Sequence, residues 1–284
     1  MTVAAPERLA RDRIEELDGF LIELNGAAAE VILPLFRGDH GVVHKEGRWA
    51  FDPVTEADKG AERAIRRLVS ERYPHHGFVG EEYGEDRPDA EFVWVLDPVD
   101  GTRAFIAGLP LWTTLIGLRF QGRSVLGSIG QSYLGELYIG HADGSRLISR
   151  SGTRPLKVRP CGNLADSIIA TTDPEMCFTG AEREAWTRVR NAARLARLGC
   201  DAYAYAMVAA GTLDMVLEAG LAAWDIEAAI PVVEGAGGQV TDWRGDRLGP
   251  RSGERDSKWR GQLAIAGDRA CLDEALALLA PAAD

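Results

Sequence analysis

From Ile14 onward, apolar residues recur at Leu17, Leu21, Leu24, Ala28, Val31/Ile32 and Leu35. That spacing predicts a long amphipathic helix at the start of the chain. Residues 39–50 mix glycines with charges and read as a loop or short hairpin. A second helix is predicted from about Thr55–Asp58 to Arg72, with Ala61, Ile65 and Leu68 on one face. The pattern then changes period. "FVWVL" (92–96) is a continuous β-type run, followed by "LWTTLIGLRF", "SVLGSIGQ" and "GELYIG" with turn signals such as Gln121-Gly122-Arg123 between them. These read as meander strands of an antiparallel sheet.

A stretch rich in Arg, Pro and Gly at 150–165 marks a boundary. It predicts an N-terminal α+β lobe (1–150) and a C-terminal α/β lobe (151–284). The second lobe reads as a strand (168–171), a helix (181–195), a small-residue helix (202–210) and a strand (213–218). A helix (225–236), the strands "GQVTDW" and "LAIAG" and a closing helix (268–279) follow. Alternating β and α implies a layered α/β architecture.

Composition narrows the partners. A hydrophobic fraction of 46% and a charged fraction of 26% over 284 residues are those of an ordinary soluble protein. The net charge of −11 argues against a nucleic-acid or anionic-membrane partner. It would also repel a small anionic substrate unless cations reverse the field locally. Four cysteines without Cys-x-x-Cys spacing and five histidines without His-Glu-x-x-His argue against a disulfide framework or zinc site and fit a reducing cytoplasm. "MTVAAPERLARDRIEELDG" is too charged for a signal peptide, and there is no membrane-spanning run of about 18 apolar residues.

The chemistry lies in acidic groups at predicted element ends. These are Asp52 with Thr55 and Asp58 in "FDPVTEAD", Glu81-Glu82 in "FVGEEYGED", Asp97 and Asp100 in "WVLDPVDGTRAF", and Asp225 in "AAWDIEAA". Carboxylates without Cys or His ligands beside them suit hard cations, so Mg²⁺ or Mn²⁺ is expected. Pro98 fixes its own φ and biases Asp97 toward extended backbone, ending the strand there. The turn can then aim both carboxylates and the Val99 carbonyl at adjacent metals. The amides of Gly101 and Thr102 would cradle a phosphate beside them. Taken singly, Asp225 and Asp201 read as helix N-caps, Glu81-Glu82 as a solvated loop and Arg103 as a solvated cation. Their conjunction in this order moves the odds.

That conjunction resembles the inositol-monophosphatase-like superfamily of Mg²⁺-dependent phosphomonoesterases. "WVLDPVDGTRAFIAGLPLW" and "WDIEAAIPVVEGAGGQVTDW" are similar to its two signature regions, and "FDPVTEAD" and "FVGEE" fit upstream. The resemblance implies an αβαβα sandwich with two lobes and two or three ions. Glu81, Asp97 and the Val99 carbonyl would hold the first ion, and Asp97, Asp100 and Asp225 the second. Glu81, with Asp52 through water, would place a weaker third. Gly101 and Thr102 would bind phosphate, Thr102 and Asp52 would polarise a metal-activated water, and Lys45 matches a basic residue on a loop near the metals. In-line attack without a phosphoenzyme is expected. A non-catalytic relative would have lost at least one of Glu81, Asp97, Asp100, Thr102 and Asp225, and all are present.

Within the superfamily, "GCDAYAYAMVAAGTLDMVLEAGLAAWDIEAAIPVVEGAGG" and "TDWRG" look most like histidinol-phosphate phosphatases. Glu218 sits where inositol enzymes place a substrate-hydroxyl acceptor, and Asp201 stands where they have small residues. Two carboxylates by the leaving group would suit the cationic alcohol histidinol. Arg103 would contact phosphate or pair with Asp201 or Glu218 of a neighbouring subunit. An inositol-1-monophosphatase or broad sugar-phosphate phosphatase is the alternative. A cytoplasmic homodimer is implied, with "GLPLW" in the subunit contact.

Overall fold

In the computed structural model, residues 9–38, 43–45, 52–248 and 260–282 are described, the short strands at 43–45 and 52–54 by backbone alone. Helix α1 (Arg11–Ile32) buries Leu17, Phe20, Leu21, Leu24, Ala28 and Ile32 on one stripe. It stops short of the predicted Leu35 because Pro34 has no N–H to donate to the preceding turn. Strands β1 (Val43–Lys45) and β2 (Asp52–Val54) pair antiparallel. Helix α2 (Glu56–Arg72) starts at a capping box: Thr55 accepts at its hydroxyl, and the Asp58 carboxylate accepts the Thr55 amide.

An eight-stranded sheet follows, made of β3 (Gly77–Gly80), β4 (Gly84–Asp86), β5 (Phe92–Asp100), β6 (Thr113–Phe120), β7 (Arg123–Gln131), β8 (Glu136–His141), β9 (Gly144–Ser149) and β10 (Gly152–Pro155), with the short helix α3 (Thr102–Ile106) between β5 and β6. Its order is β10-β9-β8-β7-β6-β5-β3-β4. The meander is antiparallel as expected, but β3 joins β5 in parallel.

The rest builds a mixed five-stranded sheet. Its elements are β11 (Ile168–Thr171), α4 (Pro174–Cys177), α5 (Gly180–Ala192), β12 (Leu195–Leu198), α6 (Tyr203–Ala209), β13 (Met215–Glu218), α7 (Ala223–Ile226), α8 (Ala229–Gly235), β14 (Gln239–Thr241), β15 (Leu263–Ala266) and α9 (Arg269–Leu279). The strand order is β12-β11-β13-β15-β14. The predicted helix over 225–236 is two helices, because Pro231 cannot donate to the carbonyl of Glu227. The predicted helix over 181–195 ends at Ala192, and residues 195–198 pair as an edge strand instead.

Side-chain alternation stacks these parts into five layers. On β6, Ile116 and Leu118 pack against α1 and α2, while Leu115 faces α6 and α8. On β13, Val216 joins that inner cluster, whereas Met215 and Leu217 pack against α5 and α9. Strands covered on both faces read as unbroken apolar runs, which is why "FVWVL" shows no alternation. Helix α8 lies close to the first sheet: a Cβ on Gly127 would be 2.2 Å from the Ala228 carbonyl oxygen.

Candidate active site

Strand β5 does not end at Asp97. It continues to Asp100 through a bulge in which β5 advances three residues, Asp97 to Asp100, while β6 advances two, Leu115 to Thr113. In a regular strand, residues three apart point to opposite faces. The extra residue cancels that, and Asp97, Asp100 and Asp225 come together with ligand oxygens all within 4.8 Å of one another.

Each carboxylate is tethered. Asp97 Oδ1 accepts the Val99 amide at 3.1 Å. Asp100 Oδ2 accepts the Ala202 amide at 2.7 Å and the Thr113 hydroxyl at 3.4 Å. Asp225 belongs to the first turn of α7, where its Oδ2 accepts the Ala222 amide at 2.6 Å. Burial, then the charges of Glu81, Asp100 and Asp225, hold the Asp97 carboxyl far above the ordinary carboxylate range. Asp100 is raised by burial and by Asp201.

Gly101 has φ +79° and precedes α3, whose first amides have no intrahelical acceptor. A Cβ there would lie 3.1 Å from Asp201 Oδ2 and 3.2 Å from Trp112 Cα, so both conformation and space call for glycine. The Thr102 hydroxyl donates to the Val99 carbonyl at 3.1 Å and lies 3.4 Å from Asp58 Oδ1. Asp58 is thus both a helix-capping group and a neighbour of Thr102. Its place on the apolar face of α2, one turn before Glu62, was the available signal for a further role.

Asp100, Gly101, Thr102 and Asp225 line a cleft of about 260 Å³ with Glu81, Arg103, Asp201, Tyr205, Glu218 and Trp224. Asp201 adopts φ +44° and does not cap α6, whose N-cap is Ala202. Burial raises its carboxyl to about 6, against the pull of Arg103 in the same chain. Glu218 is buried and accepts the Thr171 hydroxyl and the Thr172 amide and hydroxyl at 3.2, 2.8 and 2.9 Å. Burial pushes it up to about 8. Tyr203 ties this turn to β8 by donating to Glu136 at 2.8 Å. Lys45 and Asp52 are register partners across β1 and β2, and their side chains lie outside the described residues. A larger cleft, about 740 Å³, lies beside Phe120 and His141 at the far end of β6, but there Arg247 is paired with Glu234. Chemistry rather than size selects the smaller one.

The donor set fits a hard divalent cation. It is all oxygen and its members repel one another, while Arg103 is the one cation among the described lining residues. Among the described residues, no helix is long and apolar enough to cross a membrane.

Relatives agree with this chemistry. The inositol monophosphatase family model matches residues 13–281. The chain is 38% identical over 246 residues to the chloroplastic bifunctional phosphatase IMPL2 of Arabidopsis thaliana, covering 86% of this chain and 69% of the relative. It is 35% identical over 193 residues to a histidinol-phosphatase of Chlorobaculum parvum, covering 68% and 73%. The solved structure of an inositol monophosphatase from Zymomonas mobilis superposes with a TM-score of 0.80 at 34% identity, covering 96% of this chain and all of that one. The chain therefore belongs to the inositol monophosphatase family, whose members are metal-dependent phosphatases.

Proposed function

We propose that this phosphatase hydrolyses L-histidinol phosphate to L-histidinol and phosphate. The observation that carries the reading is a pair of carboxylates, Asp201 and Glu218, in the cleft of the acidic cluster. An ammonium or imidazolium would draw these acids into their ionised form and make charge-assisted hydrogen bonds with them, whereas a neutral ring would gain less from the second acid. The likeness to the Chlorobaculum parvum histidinol-phosphatase supports the same reading.

Glu81, Asp97, the Val99 carbonyl, Asp100 and Asp225 would hold two or three Mg²⁺ ions, with Mn²⁺ as a substitute. Bound there, the ions would neutralise the phosphate dianion, activate water and stabilise the departing alkoxide. The chain's own residues do the positioning. The Gly101 and Thr102 amides meet the phosphoryl oxygens. Thr102, its proton directed to Val99 or Asp58, keeps a lone pair for a water aligned in line with the scissile bond. Asp52 would help polarise that water. No phosphoenzyme is formed, so phosphorus inverts. The leaving alcohol faces Asp201 and Glu218, with Arg103 moderating their charge.

The likeness to the Zymomonas mobilis enzyme favours an inositol phosphate as the second reading. Turnover of histidinol phosphate and inositol 1-phosphate at saturating Mg²⁺ separates the two, and a strong preference for the inositol ester would overturn the first. Asp201→Asn should raise KM for histidinol phosphate by about tenfold and leave neutral esters within about threefold. Equal losses on both would remove Asp201 from substrate recognition.

A further inference from the structure

Glu62 on α2 is fully buried, one turn beyond the capping box and on the helix face that also carries Ala61 and Ile65. A carboxylate taken out of water is retained only where its lone pairs are filled. Those of Glu62 are filled mainly by the turn that carries Glu81. Oε2 accepts the Glu82 amide at 2.9 Å, and Oε1 accepts the Tyr83 amide at 3.3 Å and Arg66 Nε at 2.8 Å.

Neighbouring groups on α2 extend the grip. Arg66 Nη2 donates to the Gly84 carbonyl at 2.5 Å, and Arg63 Nη1 to the Tyr83 hydroxyl at 2.6 Å. From β5, the Leu96 carbonyl accepts the Glu81 amide at 3.1 Å. Just before the turn, a Cβ on Gly80 would lie 2.1 Å from Glu62 Oε1 and 2.8 Å from Arg66 Nη2, so a side chain there would displace this pair. The turn carries Glu81 into the cleft that Asp100 and Asp225 also line.

We propose that Glu62, backed by Arg66, is a positioning residue that presets the Glu81 carboxylate against Asp97 and thereby sets the affinity of the metal centre. This rests on the metal-centre reading given above. If Glu62 only satisfied turn amides, its loss would lower stability and leave ion affinity untouched. Supporting hydrogen bonds behind a metal ligand instead alter affinity by about 10- to 100-fold.

Glu62→Gln decides between the two. Glutamine keeps the volume but sets an NH₂ against Arg66 or a backbone N–H. Mg²⁺ affinity, by calorimetry and by the Mg²⁺-dependent rise in Tm, should weaken about tenfold or more, with kcat at saturating Mg²⁺ within about threefold of wild type. Arg66→Lys keeps the charge but loses the fork that spans Glu62 and Gly84, and should weaken Mg²⁺ about threefold in the same direction. It carries the test alone if Glu62→Gln does not fold. Wild-type Mg²⁺ affinity in a folded variant, with only Tm lowered, overturns the proposal. Absence of Mg²⁺ binding and of Mg²⁺-dependent phosphate release in the wild-type protein would instead overturn the underlying reading of the metal centre.

Discussion

Replacing Asp97 by asparagine should stabilise the metal-free protein while removing its response to magnesium. Two charges 4.8 Å apart, the upper bound on the oxygen separations here, repel by about 3.5 kcal/mol at an effective dielectric near 20. Asp97 faces Asp100 and Asp225 at that range or closer, and the Glu81 charge acts on it as well, so simple addition would exceed about 7 kcal/mol. Protonation limits the cost. Neutralising a carboxyl at pH 7 that would ionise near 3.8 when unfolded costs about 4 kcal/mol, and the native state never has to bear more from this one group. The asparagine side chain is neutral from the start, and its carbonyl oxygen can still accept the Val99 amide.

The expected gain in EDTA is therefore about 2–4 kcal/mol, or roughly 3–7 °C in Tm for a chain of this length. Saturation with Mg²⁺ should reverse the order. At a hundredfold excess over Kd, wild type gains about 2.7 kcal/mol per site and the variant little. Differential scanning fluorimetry in EDTA and in MgCl₂ reads both quantities, and phosphate release should be lost in the variant. A variant less stable than wild type in EDTA, or one whose Tm rises with Mg²⁺ as wild type's does, would refute mutual repulsion as the organising feature of the cluster.

Two further outcomes concern the scaffold. His76 stacks between Tyr73 and Phe92 and accepts the Trp94 indole N–H at Nδ1; burial, then Arg13, lowers its pKa to about 4. The unfolded chain takes up this proton first, so this imidazole's own contribution to stability should fall between about pH 6.5 and 4, by about 2.5 kcal/mol at pH 4.5; relative to wild type, His76→Gln, which keeps an acceptor without the proton, should therefore gain in Tm as the pH is lowered through that range. The buried ion pair from Arg119 on β6 to Glu227, which Ser124 also contacts, joins the first sheet to the α7–α8 junction. Arg119→Met should cost about 3–5 kcal/mol in urea unfolding by stranding Glu227, and adding Glu227→Leu should recover most of it.

Much of the scaffold is legible from local rules. Thr55-x-x-Asp58 before an apolar stripe locates α2, and the doubly covered strands announce themselves as unbroken runs. Where tertiary pairing overrides propensity, reading fails. "LARL" (195–198) is built from good helix formers and its first residue falls inside the helix predicted over 181–195, yet β11 recruits all four residues as an edge strand. Strands β3 and β4 are short, and one is fully exposed, so neither shows a usable period. The hairpin of β9 and β10 is polar for the same reason: one of its strands lies entirely at the surface.

The site divides along the same line. That several acids recur in short motifs poor in basic residues is visible in one dimension, and like charges of that kind ask for a bound cation wherever they are buried together. How those acids meet is not visible. A strict period of two places Asp97 and Asp100 on opposite faces of β5, and only the bulge opposite Leu115 and Thr113 turns them the same way. Glu62 is harder still, because it acts through the amides of Glu82 and Tyr83, which bear no mark in the side-chain pattern. What can be read is a charge on the apolar face of α2, together with a glycine at position 80 just ahead of the turn between β3 and β4. The two meet in the fold, since a Cβ at position 80 would lie 2.1 Å from Glu62 Oε1 and 2.8 Å from Arg66 Nη2, and a larger residue there would have to push the ends of both side chains out of the places from which they hold the turn.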